Sequence, residues 1–146
     1  MYDSGECSAV IDQNISLGNE FWIEVGFIIY MVADGGAAEQ IQDSLANALE
    51  SNPEAVIRYA KKYKEILDLD TICNNDVLNY VSCLSTIDGN ILEVAVEKIR
   101  KRIKALQGIA FQKTTGKDAG TCIERLRRQL QILERKMKNS GEEKWR

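Results

Sequence analysis

Two runs of apolar residues near the C-terminus constrain this chain more than any other feature. Leu92, Val96, Ile99, Ile103 and Leu106 recur at alternating spacings of four and three, and Ile123, Leu126, Leu130, Leu133 and Met137 do the same. That spacing keeps one apolar stripe on one face of an α-helix and turns it towards a partner helix. The first helix starts from Asp88 and is stopped by Gly108, and the second starts from Asp118. The linker, Ile109 to Lys117, is short enough to fold the two into an antiparallel helical hairpin.

Helical signals continue upstream. After a polar lead of about 16 residues, Phe21, Val25, Ile28, Ile29 and Val32 follow helical spacing, and Ile23 and Phe27 widen the stripe. A helix buried nearly all round is expected there, ended or broken at Asp34-Gly35-Gly36. A second helix is expected from Ala37 to Glu50, with Ile41, Leu45, Ala48 and Leu49 on one face. Asn52-Pro53-Glu54 is the clearest start signal, because Asn accepts from an orphan N–H and Pro loses nothing at the first helical position. That helix is expected to run to about Glu65. Leu67, Leu69 and Ile72 fall in a turn-rich segment around Cys73, and Asn74-Asn75-Asp76 can cap a short helix through Leu84. There is no convincing strand alternation, so the expected fold is all-α, a single domain of about five or six helices over residues 1–146, with 1–16 and 139–146 frayed.

With 146 residues and 45% hydrophobic content the chain can build an ordinary core. It contains no His, which removes the usual proton shuttle and the commonest metal ligand. The most apolar stretch, Phe21 to Ala33, carries Glu24 and falls short of the roughly 20 residues a membrane span needs. The first twenty residues do not read as a secretory signal, so either the chain is cytoplasmic or a signal has been removed. Charge is divided along the sequence. Residues 1–90 hold 4 basic and 15 acidic side chains, a balance of −11, whereas residues 91–146 hold 15 basic and 7 acidic, a balance of +8. Such a division serves internal docking or simply keeps helix faces solvated, which is the more ordinary reading, or else presents separate acidic and basic faces to partners.

Cys7, Cys73, Cys83 and Cys122 permit three pairings, and none forms a Cys-x-x-Cys pair. Two disulfides compete with four buried thiols. The position of Cys73 and Cys83 in the irregular part of the chain, where a crosslink helps most, favours disulfides. A zinc site or a catalytic thiol lacks the His that would complete it.

The stretch Ala48-Leu49-Glu50-Ser51-Asn52-Pro53-Glu54-Ala55-Val56-Ile57 is followed by Ile72-Cys73. Further on come Ile99-Arg100-Lys101-Arg102-Ile103-Lys104-Ala105-Leu106 and Cys122-Ile123-Glu124-Arg125-Leu126. Over roughly residues 45–130 this resembles a group of small, largely uncharacterised exported bacterial proteins, in which an Asn-Pro helix start precedes one Cys and a terminal helix carries another. The resemblance implies an exported all-α protein with Cys73 bonded to Cys122, leaving Cys7 and Cys83, which lie outside the pattern, as the second candidate pair. It implies no catalytic residue.

Glu20 with Glu24, and Glu93 with Glu97, lie one helical turn apart, a spacing that could supply paired carboxylates but is ordinary for solvent-facing residues. Glu24 stands out because Trp22, Ile23, Val25 and Phe27 surround it in sequence and burial would raise its pKa, although a surface position on a broad apolar helix is the more ordinary reading. The basic positions Lys98, Arg100, Lys101, Arg102 and Lys104, with Arg125, Arg127, Arg128, Arg135, Lys136 and Lys138, lack the interleaved aromatics of a nucleic-acid surface. No Walker-type loop, dinucleotide fingerprint or Gly-x-Ser-x-Gly is present.

These features lead us to expect an exported, periplasmic or secreted helical protein without catalytic activity, cofactor or metal, whose partner is another protein rather than nucleic acid. Contact is expected through the acidic N-terminal half, at Asp43, Glu50 and Glu54, and the concrete form is an immunity or inhibitor protein acting on a toxin or hydrolase. The alternative is a cytoplasmic helical adaptor or regulator that associates through the basic hairpin from Leu92 to Met137. A homodimer is compatible with both.

Overall fold

In the computed structural model, residues 10–78 and 91–144 are described, with side chains up to residue 139. They form α1 (Val10–Ser16), α2 (Glu20–Tyr30), α3 (Gly35–Asn47), a 3-10 turn (Ala48–Glu50), α4 (Pro53–Lys62), α5 (Leu69–Cys73), α6 (Ile91–Gln107) and α7 (Gly116–Lys144). The described residues contain seven α-helices and no strand. Cys7, Cys83 and Trp145 lie outside them, as do the Asp88 start and all but the first residues of the helix expected through Leu84.

Side-chain caps set several of the boundaries. Asn19 accepts from the Trp22 N–H at 3.2 Å, Asn52 from Ala55 at 3.3 Å, and Asp68 from Thr71 at 2.8 Å. Pro53 sits at the first turn of α4, where its missing N–H costs nothing. The Asn52 amide also donates to the Gly18 carbonyl at 2.9 Å, and the Ser51 hydroxyl donates to that of Ser16 at 2.9 Å. These two bonds tie the α1–α2 turn to the start of α4.

The buried apolar residues form one cluster. Ile15, Ile23 and Phe27 meet Ile41, Leu45, Leu49, Val56 and Ile57, and the cluster continues through Val96, Ile99, Leu106 and Leu126. The most extensive helix pairing joins α6 to α7, which are linked by residues 108–115. The seam positions Val96, Ile99, Ile103, Leu106, Ile123, Leu126 and Leu133 are buried, and Leu92, Leu130 and Met137 pack at its margin. α5 rests on α7, where the Gln129 amide donates to the Cys73 carbonyl at 2.9 Å.

Four expectations are corrected. The polar lead is not frayed throughout, because residues 10–16 form α1, which buries Ile15 fully and Asp12 almost fully. Ser44 Oγ donates to Asp12 Oδ1 at 3.0 Å and satisfies part of that buried carboxylate. At the other end α7 continues through Lys144 rather than fraying from 139. α4 ends at Lys62, with Tyr63 as its cap residue, rather than at Glu65.

The fourth correction concerns α2, which is buried on one side only, through Ile23, Gly26 and Phe27. Phe21, Ile28 and Val32, from the expected core stripe, instead face water at 67%, 44% and 85% exposure. Apolar residues surround this helix, so periodicity does not choose its inner face. Packing does: Gly26 lets Ile15 approach so closely that a Cβ there would lie 3.0 Å from Ile15 Cδ1. The other side of the choice comes from α4, whose Arg58 and Lys62 pair with Glu20 and Glu24.

Candidate functional site

An open groove of about 910 Å³ lies between α3 and the α5 region. α3 contributes Gly36, Glu39, Gln40, Gln42 and Asp43, while Asp70, Thr71, Asn74, Asn75 and Asp76 come from α5 and the turn after it. The α3 side follows from helix geometry. Ile41, Ser44 and Leu45 face the core, which leaves positions 36, 39, 40 and 43 along the flank. Asp68 holds the opposite wall by capping α5, and its own carboxyl is kept below the ordinary range by hydrogen bonds from the Thr71 hydroxyl and backbone N–H.

Across the groove the Asn75 Nδ2 donates to Asp43 Oδ1 at 2.7 Å. Burial raises the Asp43 carboxyl above its ordinary pKa, against the lowering effects of that hydrogen bond and of the Arg102 charge, while Glu39 and Asp76 add to the rise. Two carbonyl oxygens in this wall, Gln40 Oε1 and Asn75 Oδ1, are buried without a hydrogen-bond donor among the described residues. The described lining holds four carboxylates, four carboxamides and one hydroxyl, and no Lys or Arg. Chemically it is an anionic surface, because the carboxamides and the hydroxyl can donate as well as accept while the four carboxylates only accept.

A smaller cleft of about 160 Å³ is lined by Leu69, Asp70, Cys73, Asp118, Thr121, Cys122 and Arg125. Cys73 and Cys122 stand at disulfide distance with Cα atoms 5.4 Å apart, and both are buried. Arg125 Nε donates to Asp70 Oδ1 at 3.0 Å, and Lys61 Nζ lies 2.7 Å from Asp118 Oδ2. Asp70 therefore borders both the groove and this cleft.

The structure separates the three acidic residues singled out from the sequence. Asp43 lies in the groove. Glu50 is turned inward, with Lys98 Nζ at 2.9 Å and Arg102 Nε at 3.8 Å from its Oε2. Burial lowers the Lys98 ammonium pKa in spite of the opposing Glu50 hydrogen bond. Glu54 is exposed at the start of α4, 4.0 Å from Arg58 Nη1. Part of the charge division is thus used internally, through Glu50 with Lys98 and Arg102, and through Asp70 with Arg125.

Glu24 keeps 29% side-chain exposure, and burial does not govern its pKa. Hydrogen bonds from Lys62 and Tyr63, at 2.8 and 2.7 Å, hold its carboxyl below the ordinary range. It is the anchor of α2 on α4. Glu39, Gln40, Asn75 and Asp76 are groove residues that the sequence did not single out. Their only signal was Asn74-Asn75-Asp76, which also reads as a simple cap.

Among the described residues no group of three or more His, Cys, Asp or Glu is arranged to hold a metal ion, and no helix is long and apolar enough to cross a membrane. Comparison with family models, with curated proteins and with solved structures gives no match.

Proposed function

We propose that this chain is an exported, non-catalytic helical protein that binds another protein by receiving a Lys- or Arg-rich segment of it in the groove between α3 and α5. The observation that carries this reading is the anionic lining, four carboxylates with no Lys or Arg among the described lining residues. Ammonium and guanidinium groups supply donors and positive charge together, and charge-assisted bonds of this kind are roughly twice as strong as neutral ones. An immunity or inhibitor protein that covers a basic site on a toxin or hydrolase is the concrete form of this role.

The same reading makes Cys73–Cys122 a disulfide that staples α5 to an α6/α7 hairpin. Closing a loop of about 50 residues stabilises a chain by roughly 4 kcal/mol in the entropy model. It also steadies one wall of the groove, because Asp70 and Thr71 belong to the stapled helix. Periplasmic or secreted location follows from a disulfide that persists.

Calorimetric titration with a lysine-rich peptide and a glutamate-rich peptide of equal length tests the proposal. Binding of the first, lost on Asp43→Lys with Asp76→Lys, supports it. Equal behaviour of the two peptides would overturn it. The second reading, a cytoplasmic adaptor using its basic helices, is favoured by the exposure of Lys104, Arg127 and Arg128 on α6 and α7. Protein from its native source with Cys73 and Cys122 as free thiols would favour that reading instead.

A further inference from the structure

α2 presents apolar side chains on two opposite faces, and only the inner one is covered. On the outer face Phe21, Val25, Ile28 and Val32 follow the four-three-four spacing of a helix-pairing seam. Val32 lies in the turn that closes α2, and the Ala33 N–H to Ile29 carbonyl bond of 3.0 Å carries the helical path past it. Phe21, Ile28, Met31 and Val32 are 67%, 44%, 54% and 85% exposed, and Leu17, just before α2, is 75% exposed.

We propose that this outer face of α2 pairs with the same face of a second copy of the chain, the two helices running antiparallel about a two-fold axis. The seam is complementary to itself in that orientation. Phe21 meets the second copy's Val32, and Val25 meets its Ile28, so each contact occurs twice, as a closed symmetric dimer requires.

Charge selects this occupant. The carboxylates of α2 are already matched by α4, Glu20 by Arg58 and Glu24 by Lys62, so neither repels a second copy strongly. No Lys or Arg occurs in residues 1–57. The cations beside α2, Arg58 and Lys62, are held in those two pairs, so the face offers a nucleic acid or an anionic lipid surface little countercharge. The surface is neutral and apolar, and the face that matches it is its own. The exposed side chains amount to on the order of 500 Å² per copy, within the 300–600 Å² of the largest patch on a typical monomer. A pair would bury on the order of 1,000 Å², the lower bound of a specific interface, and the association is correspondingly weak. The face is separate from the groove of α3 and α5, so this inference stands or falls independently of the proposed function.

Sedimentation equilibrium of the full oxidised chain over roughly 1–200 µM spans the affinity of an interface this size. The mass should rise from 16.4 kDa towards twice that value. Val25→Glu and Ile28→Lys, each checked by circular dichroism for unchanged helix content, should each weaken the dimer at least about tenfold. Their equimolar mixture should restore it, because the antiparallel register brings position 25 to position 28. Val32→Lys, at a site 85% exposed, serves as the dissociating variant if either of the others loses helix. A wild-type mass of 16.4 kDa throughout, dimerisation untouched by Val32→Lys, a mixture that stays monomeric, or a monomer that pellets with phosphatidylcholine vesicles would each overturn the proposal.

Discussion

Asn75 donates its amide hydrogen to Asp43 across 2.7 Å and so links the turn after α5 to the flank of α3. The same side chain leaves its carbonyl oxygen buried in the groove wall without a donor among the described residues. One residue thus bridges the two walls of the groove. A cationic ligand would meet an ionised Asp43 already oriented by that bond.

Asp43 gives binding a pH dependence. Its folded-state pKa lies above the ordinary 3.8 because burial outweighs its hydrogen bond. Affinity for a lysine-rich peptide should therefore rise as pH passes upward through that raised pKa, as the carboxylate forms. Asp43→Asn should bind more weakly at neutral pH and lose this part of the pH dependence, which calorimetry at a series of pH values will read.

Glu24 has the opposite sign. Its folded-state pKa is below 4.5 because Lys62 and Tyr63 donate to the carboxylate. Its contribution to stability is present above the unfolded value and is lost as pH falls through the folded one. Denaturant melts of wild type and Glu24→Gln should differ at neutral pH and converge as pH drops below 4.5.

Glu50 is shared by Lys98 and Arg102, and the Glu50 and Lys98 side chains keep only 16% and 17% exposure. Glu50→Ala withdraws that carboxylate from two largely buried cations. A loss of about 2–3 kcal/mol is expected, at or just under the usual range for breaking a buried pair because some water still reaches these groups. Chemical denaturation will measure it, and Glu54→Ala, at an exposed position, should change stability by less than about 0.5 kcal/mol.

Gly18 has φ +86°, and a Cβ there would lie 2.7 Å from Ser51 Oγ. Gly18→Ala combines left-handed strain with displacement of a hydroxyl that bonds Ser16. It should cost about 2 kcal/mol and lower Tm by several degrees.

The long seams were legible in the sequence because each pairs one apolar stripe with a charged outer face. α2 was not, since its apolar residues surround the axis and no period can distinguish the face that meets Ile15 from the one that meets water. α1 hid behind polar residues because its contribution to the core rests on Ile15, with Ile11 packed at its edge. Of the site, Asp43 was named from charge alone. Its neighbours Gln40 and Asn75 were missed, because amides acquire meaning only when folding brings their segments to one groove and buries their oxygens. Glu50 looked like part of an acidic face because nothing in its local sequence announces Lys98 and Arg102, which lie far along the chain.

The most direct test of the groove is a proton–nitrogen correlation map of the oxidised chain titrated with the lysine-rich peptide. The account predicts that shifts concentrate at residues 36–43 and 70–76, with the Asn75 and Gln40 side-chain amides among the most affected. Shifts centred on α6 and α7, or none at all, would contradict it.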